Sequence, residues 1–333
     1  MRIFRLAVVV ASWFGFGSYS AAAPPAAANP QDVKVAILMF DGVQIIDFAA
    51  PYEVFEQAGF TVFTVSKEGK QVTAVQGLKS LVDHSFESAP AANIVVVPGG
   101  HIHDAEKDTA TLDWIRKQAT PAGHVLSVCT GSFILGSTGL LDGKSATTFH
   151  RAFEGMAKQF PKVHIVSDQR WVDSGKLVTA AGMASGIDAA LHVVAEVRGL
   201  KAARSVAMHL EYDWQPEQGF VRGKMADRYM KLPARFSLPP GTKLSPVTSM
   251  GDTRTWEAEY AIESELTPEA FLAQIREQAG RDSLLAVDDK TGPRQIAWEY
   301  PDENGGRWRV TSDASEASAP GRFSVVVRLA AVR

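Results

Sequence analysis

With a single cysteine, Cys129, in 333 residues, the chain cannot form an intramolecular disulfide, and its fold must rest on a packed core. Excess positive charge is absent too. Against 37 Asp and Glu stand 34 Lys and Arg, a formal net charge of −3, which leaves no basic footprint for nucleic acid. Long apolar runs are also lacking. The longest, residues 6–17, has about 12 residues, short of the roughly 20 that a membrane-spanning helix needs. Internal repeats are not visible. What remains is ordinary for a globular protein, 46% hydrophobic and 21% charged, with enough length for two domains.

The N-terminus has the three-part layout of a secretory signal. Met1, Arg2 and Arg5 give a positive start, residues 6–17 an apolar stretch, and Ala21, Ala22 and Ala23 the small residues of a cleavage site. The expectation is a signal peptide over 1–23, a Pro/Ala linker over 24–32, and a periplasmic or secreted protein that is free of the membrane once cleaved. The competing reading is an uncleaved anchor.

Beyond the linker, strand and helix patterns alternate. Residues 33–39 (VKVAILM) read as a buried strand. Residues 48–58 read as a helix, with Pro51 in its first turn and Gly59 after its end. Strands follow at 60–66, 94–97, 124–128, 163–167 and 177–179. Helices are predicted over 111–119, 130–137, 185–198 and 201–214. This order implies an α/β domain over 33–238, a mostly parallel sheet sandwiched by helices. Pro239-Pro240-Gly241 marks a boundary. Residues 239–333 then read as a small α+β domain, with a helix over 268–279 and alternating runs at 255–262, 295–300, 307–311 and 323–329.

In parallel sheets chemistry gathers at the carboxyl ends of strands. Asp47, Gly99-Gly100 and Cys129 fall there. Cys129 sits between a strand and a helix, the setting of a nucleophile elbow, and the helix N-terminus would favour the thiolate. The bland alternative is an inert cysteine packed as a small hydrophobe. Gly99 and Gly100 could offer free backbone N–H groups to a developing negative charge, or form a plain turn. Asp47 reads on its own as an N-cap. Asp188, in a first helical turn, reads as structural, as do His84, His192 and His209. His101, His103 and Asp104 form a cluster without supporting ligand spacing, and no metal or other cofactor is expected.

Four blocks carry a resemblance: FDGVQIIDFAAPYEVF (40–55), VVVPGG (95–100), VCTGSFILGSTGLLDGKSATT (128–148) and TAAGMASGIDAALHVVAE (179–196). In this order they resemble the ThiJ/PfpI family, of class I glutamine amidotransferase-like, flavodoxin-like fold. Within it they are most similar to isocyanide hydratases and to the sensor domains of related AraC-type regulators. The resemblance implies a catalytic cysteine at Cys129, a carboxylate facing it at Asp47, and a role for Thr130 beside the sulfur. Asp47 would be protonated and act as general acid. Relatives often have a histidine directly after the Ala-Thr-Thr run. Here Phe149 intervenes and His150 is displaced by one position, so a Cys-His pair with His150 is in doubt.

The function implied is that of a lyase, hydrating an isocyanide to an N-substituted formamide through a cysteine thioimidate. The alternatives are a glyoxalase- or amidase-like enzyme, and an extracytoplasmic redox or ligand sensor. The partners expected are a small-molecule substrate and a second copy of the chain, as a homodimer; nucleic acid is not expected.

Overall fold

The chain's apolar runs set its first sheet. The computed structural model describes residues 32–216, 220–303, 305–316 and 321–332; the expected signal segment and nearly all of the linker lie outside them. Seven strands form this sheet: β1 (Lys34–Leu38), β2 (Thr61–Ser66), β3 (His84–Ser85), β4 (Ile94–Val97), β5 (His124–Val128), β6 (Trp171–Asp173) and β7 (Leu177–Ala180). Their spatial order is β6-β7-β5-β4-β1-β2-β3. All pair in parallel except β6, which turns back along β7. The central strands are buried on both faces, which is why they read as unbroken Val/Ile/Leu runs rather than as alternating patterns.

Two helical layers cover the sheet. Helices α1 (Ile45–Gln57), α5 (Ser185–Arg198) and α6 (Leu200–His209) lie on the face of Val35, Ile37 and Val96. Helices α2 (Thr109–Ala119), α3 (Gly131–Ser137) and α4 (Phe153–Gln159) lie on the face of Ala36, Leu38 and Val95. This is the flavodoxin-like α/β sandwich expected. Two expected elements differ. The helix over 201–214 stops at His209, because Glu211 takes a left-handed φ of 52°. The strand over 163–167 shrinks to His164–Ile165, which pairs with Ser145–Ala146 in a separate ribbon.

Asp188 of α5 is 3% exposed and sits in a polar cluster rather than merely at a helix end. Arg170 Nε donates to it at 2.6 Å and the Tyr212 hydroxyl at 3.1 Å, while Arg170 Nη1 also reaches the Phe220 carbonyl. Removing one partner of a buried ion pair strands the other charge. Arg170→Met is therefore expected to cost about 3 kcal/mol of stability, read as a lower urea midpoint.

The second sheet is antiparallel throughout. Its strands are β8 (Lys243–Gly251), β9 (Thr255–Glu263), β10 (Ala286–Val287), β11 (Gln295–Pro301), β12 (Arg307–Glu316) and β13 (Arg322–Val332), in the order β8-β9-β13-β12-β11-β10. Alternate residues Trp256, Ala258 and Ile262 of β9 and Phe323, Val325 and Leu329 of β13 face one core with Phe271 and Ile275 of α7 (Pro268–Gly280). Thr267 caps α7 by accepting from the Ala270 N–H, and Pro268 opens it. The edge strand β8 is exposed along its length and carries Pro246 beside a register shift, so no hydrophobic period announces it. The stretch before it packs with this second core: Met225 and Ala226 are buried there, and Tyr229 stacks on Trp308 at 4.5 Å.

Candidate functional site

Strands β1, β4, β5 and β7 run parallel, so the loops at their carboxyl ends meet on one edge of the sheet. Each delivers a part of the site. The loop after β1 enters α1, whose first turn holds Asp47. Gln44 rather than Asp47 occupies the cap position, so the N-cap reading of Asp47 does not hold. Residues Pro98-Gly99-Gly100 follow β4, Cys129 follows β5, and Gly182-Met183 follow β7.

Cys129 adopts φ 57°, the left-handed region that costs an L-residue about 1–2 kcal/mol. This is the strained strand-to-helix turn expected of an elbow. Surrounding bonds fix it. Its N–H donates to the Ala180 carbonyl at 3.0 Å, and its carbonyl accepts from the Ser132 hydroxyl at 3.0 Å and the Thr148 hydroxyl at 3.2 Å. The residue is only 7% exposed and packs into the α1/α5 core, with Phe149 against the same cluster.

Asp47 is fully buried and interacts with the thiol. Its Oδ1 accepts from the Met183 N–H at 3.2 Å, and the nearby Gly99 N–H also favours its ionised form. Oδ2 has no hydrogen-bond partner of ordinary geometry among the described residues. Burial raises the carboxyl from 3.8 to about 6, against the lowering effect of these donors. The thiol moves in the direction opposite to that expected from the helix N-terminus. Burial pushes it up, the Asp47 charge pushes it further, and the Thr130 N–H and hydroxyl oppose this only in part. The seven-residue α3 does not outweigh desolvation. At neutral pH the thiol therefore keeps its proton and the carboxyl is largely ionised, the reverse of the protonated Asp47 that the resemblance implied.

Thr130 follows Cys129 directly and bears on its thiol. Its Oγ1 accepts from the Gly100 N–H at 3.0 Å and lies 3.2 Å from the Gly100 carbonyl, to which it can donate. The Gly100 N–H is thus taken by Thr130 and is not a free backbone donor as expected. The two glycines are spacers that let three loops touch: a Cβ on Gly99 would lie 2.7 Å from Thr130 N and 3.0 Å from Asp47 Oδ2.

His150 is not brought into this cluster. Among the described residues no hydrogen bond joins it to Cys129; its ring packs on Phe149 at 4.3 Å and lines a cavity under the second sheet. The one-residue displacement turns it to the other side of the segment. Among the described residues no group of His, Cys, Asp and Glu is arranged to hold a metal ion. His103 instead lies 3.1 Å from Lys107 Nζ.

Gly182 and Met183 were not singled out from the sequence. Both have positive φ, 99° and 54°. The Met183 N–H is a main support of Asp47, and a Cβ on Gly182 would lie 2.6 Å from the Cys129 Cβ and 2.9 Å from its sulfur. The available signal was the Gly-Met step at the end of an apolar strand. Gly182→Ala is expected to lose about 1–3 kcal/mol of stability and to displace the thiol, seen as a lower melting temperature and a changed alkylation rate of Cys129.

Comparison with known proteins gives this geometry a context. A model described as the DJ-1/PfpI family matches residues 33–196. Isonitrile hydratase of Pseudomonas putida is 37% identical over 182 residues, covering 54% of this chain and 78% of that protein. The HTH-type transcriptional regulator GbdR of Pseudomonas aeruginosa is 26% identical over 203 residues, and the chain spans about half (54%) of its length. A solved THiJ/PfpI family protein from Pseudomonas syringae superposes with a TM-score of 0.51 at 28% identity, over 60% of this chain and 86% of that one. DJ-1beta of Drosophila melanogaster superposes with a TM-score of 0.51 at 23% identity, over 55% and 99%, a likeness of fold.

Proposed function

The chain belongs to the DJ-1/PfpI family, and from that premise we propose that it hydrates an isocyanide to an N-substituted formamide. The observation that carries the reading is a buried carboxyl, Asp47, brought beside the buried, left-handed Cys129 at the carboxyl edge of the sheet. The similarity to isonitrile hydratase supports it.

The pair suits a reaction that places sulfur and hydrogen on the same carbon. Asp47 takes the thiol proton as sulfur bonds to the terminal isocyanide carbon, then delivers that proton to the carbon. The product is a thioimidate, with no proton drawn from outside. Water next adds to the thioimidate carbon. The C–S bond breaks, sulfur regains a proton, and the formamide leaves. Thr130, bound to Gly100 and beside the sulfur, holds the nucleophile and the Gly99-Gly100 loop in register. Burial of both groups keeps bulk water from protonating the carboxylate or solvating the sulfur.

The test is direct. Purified protein given cyclohexyl isocyanide is expected to form N-cyclohexylformamide, followed by NMR. Formation no faster than in buffer would overturn the reading. A ligand sensor is the second reading, favoured by the similarity to a transcriptional regulator; saturable isocyanide binding without turnover would support it. An oxidant sensor fits less well, since a buried thiol with a raised pKa is slow to ionise and oxidise. This reading does not include nucleic-acid binding: among the described residues the region after residue 242 forms an antiparallel sheet with one helix, α7, rather than a pair of reading helices. Export and homodimer formation belong to the same proposal, and cell fractionation and light scattering test them.

A further inference from the structure

A cavity of about 670 Å³ lies between the second sheet, α7 and the stretch 222–238, with His150 and Arg151 of the first unit at its mouth. Cys129, Asp47 and Thr130 do not line it. Its size falls within the range of small-molecule sites, about 300–1,000 Å³.

The lining is divided by chemistry. Its inner wall is Ile262, Phe271, Ile275, Trp298, Val325 and Val327, nearly all deeply buried. Its mouth is cationic: Arg151, Arg222 and Arg228 line it with a single carboxylate, Asp227. Asp227 is already taken by Arg222, which pairs with it at 2.5 and 2.6 Å and lies over the Trp256 ring at 4.4 Å. Arg151 and Arg228 have no carboxylate partner among the described residues, and Arg151 is exposed. His150 Nε2 is buried at this mouth with no hydrogen-bond partner. An orphaned ring nitrogen beside guanidiniums that lack a carboxylate partner among the described residues, above an apolar chamber, matches a ligand with an anionic head and an apolar body.

We propose that this cavity binds an amphipathic organic acid, its carboxylate at His150 and Arg151 and its hydrocarbon body between β9, β13 and α7. Burial, then Arg222, hold the His150 ring neutral at about 4, so its Nε2–H can donate to a carboxylate without a protonation step. The proposal concerns binding, not turnover, and stands apart from the chemistry of Cys129.

Laurate, below its micellar concentration, and a dansylated fatty acid are the probes, read by calorimetry and by displacement fluorescence on the full chain. Saturable one-to-one binding of laurate is expected, about tenfold tighter than that of dodecanol, as loss of a charged hydrogen-bonding head predicts. Arg151→Ala should weaken laurate several-fold while leaving dodecanol unchanged. Val327→Trp, which fills the chamber, should abolish both. If Val327→Trp does not fold, Leu232→Trp at the exposed rim reads the same block. No saturable laurate binding, equal binding of laurate and dodecyltrimethylammonium, or unchanged laurate binding in the folded blocking variant would overturn the proposal.

Discussion

Asp47→Asn is expected to slow isocyanide turnover by about 10²–10⁴-fold, the usual worth of a positioned proton carrier, and Cys129→Ala to abolish it. Asparagine keeps the size of the side chain but can neither accept the thiol proton nor return it to carbon. The same change should make the sulfur easier to ionise, because the Asp47 charge is one of the groups that hold the thiol up. Alkylation of Cys129 by iodoacetamide should therefore rise at lower pH in Asp47→Asn than in wild type, while turnover falls. A variant that merely unfolds the site would not show that split.

Stability should move opposite to activity. The buried Asp47 carboxyl titrates near 6 in the fold, against 3.8 for the free group. The native state thus binds this proton more tightly than the unfolded chain. Its contribution is fully present below pH 3.8 and is lost as the pH rises through about 6. Once ionised, the group costs the fold about 3 kcal/mol. Asp47→Asn should remove most of that dependence. The urea midpoints of the two proteins should be close at pH 4 and separate by pH 7.5, with the variant the more stable. Wild type more stable at pH 7.5 would mean that the carboxylate's hydrogen bonds outweigh its desolvation.

Much of the frame could be read from residues alone, and particular elements show why. Strand β5 and helix α5 match their expected bounds, since 124–128 and 185–198 have sharp apolar patterns bounded by breakers. Cys129 was visible as the residue at which a buried strand meets a helix. Asp47 was not separable from a cap until the fold set it beside the sulfur. The direction of the thiol was misread because a local feature, a helix N-terminus, was weighed without the burial and the opposing carboxylate that distant segments supply. The Gly100 N–H looked free for the same reason, since its partner Thr130 arrives from another loop. The exposed β8 and the cationic mouth around Arg151 and Arg222 carry no sequence period at all. The mouth exists only because residues about 70 positions apart share one space, while β8 is held by its hairpin with β9.

Gly131→Ala should give the largest loss of stability, about 3 kcal/mol or more, and should displace Cys129 as well. Helix α3 begins where its backbone lies against the end of β4. A Cβ on Gly131 would lie 2.1 Å from the Val97 carbonyl oxygen and 2.8 Å from Pro98 backbone atoms. These are main-chain atoms at the end of a central strand, so no side chain can swing aside. Relief requires α3 to back away from β4. That motion pulls on Cys129 two residues earlier, and it opens the hydrogen bond that ties Thr130 to Gly100. The variant should melt roughly 6–12 °C lower for a loss of about 3 kcal/mol. The fraction that stays folded should turn over isocyanide more slowly. Gly280→Ala is the matched control, because a Cβ there meets nothing within 4 Å. It should leave the melting temperature within a degree or two and turnover unchanged. If Gly131→Ala melts with wild type, α3 does not need the glycine to reach the sheet, and the closeness of Cys129 to the Gly99-Gly100 loop must be set elsewhere.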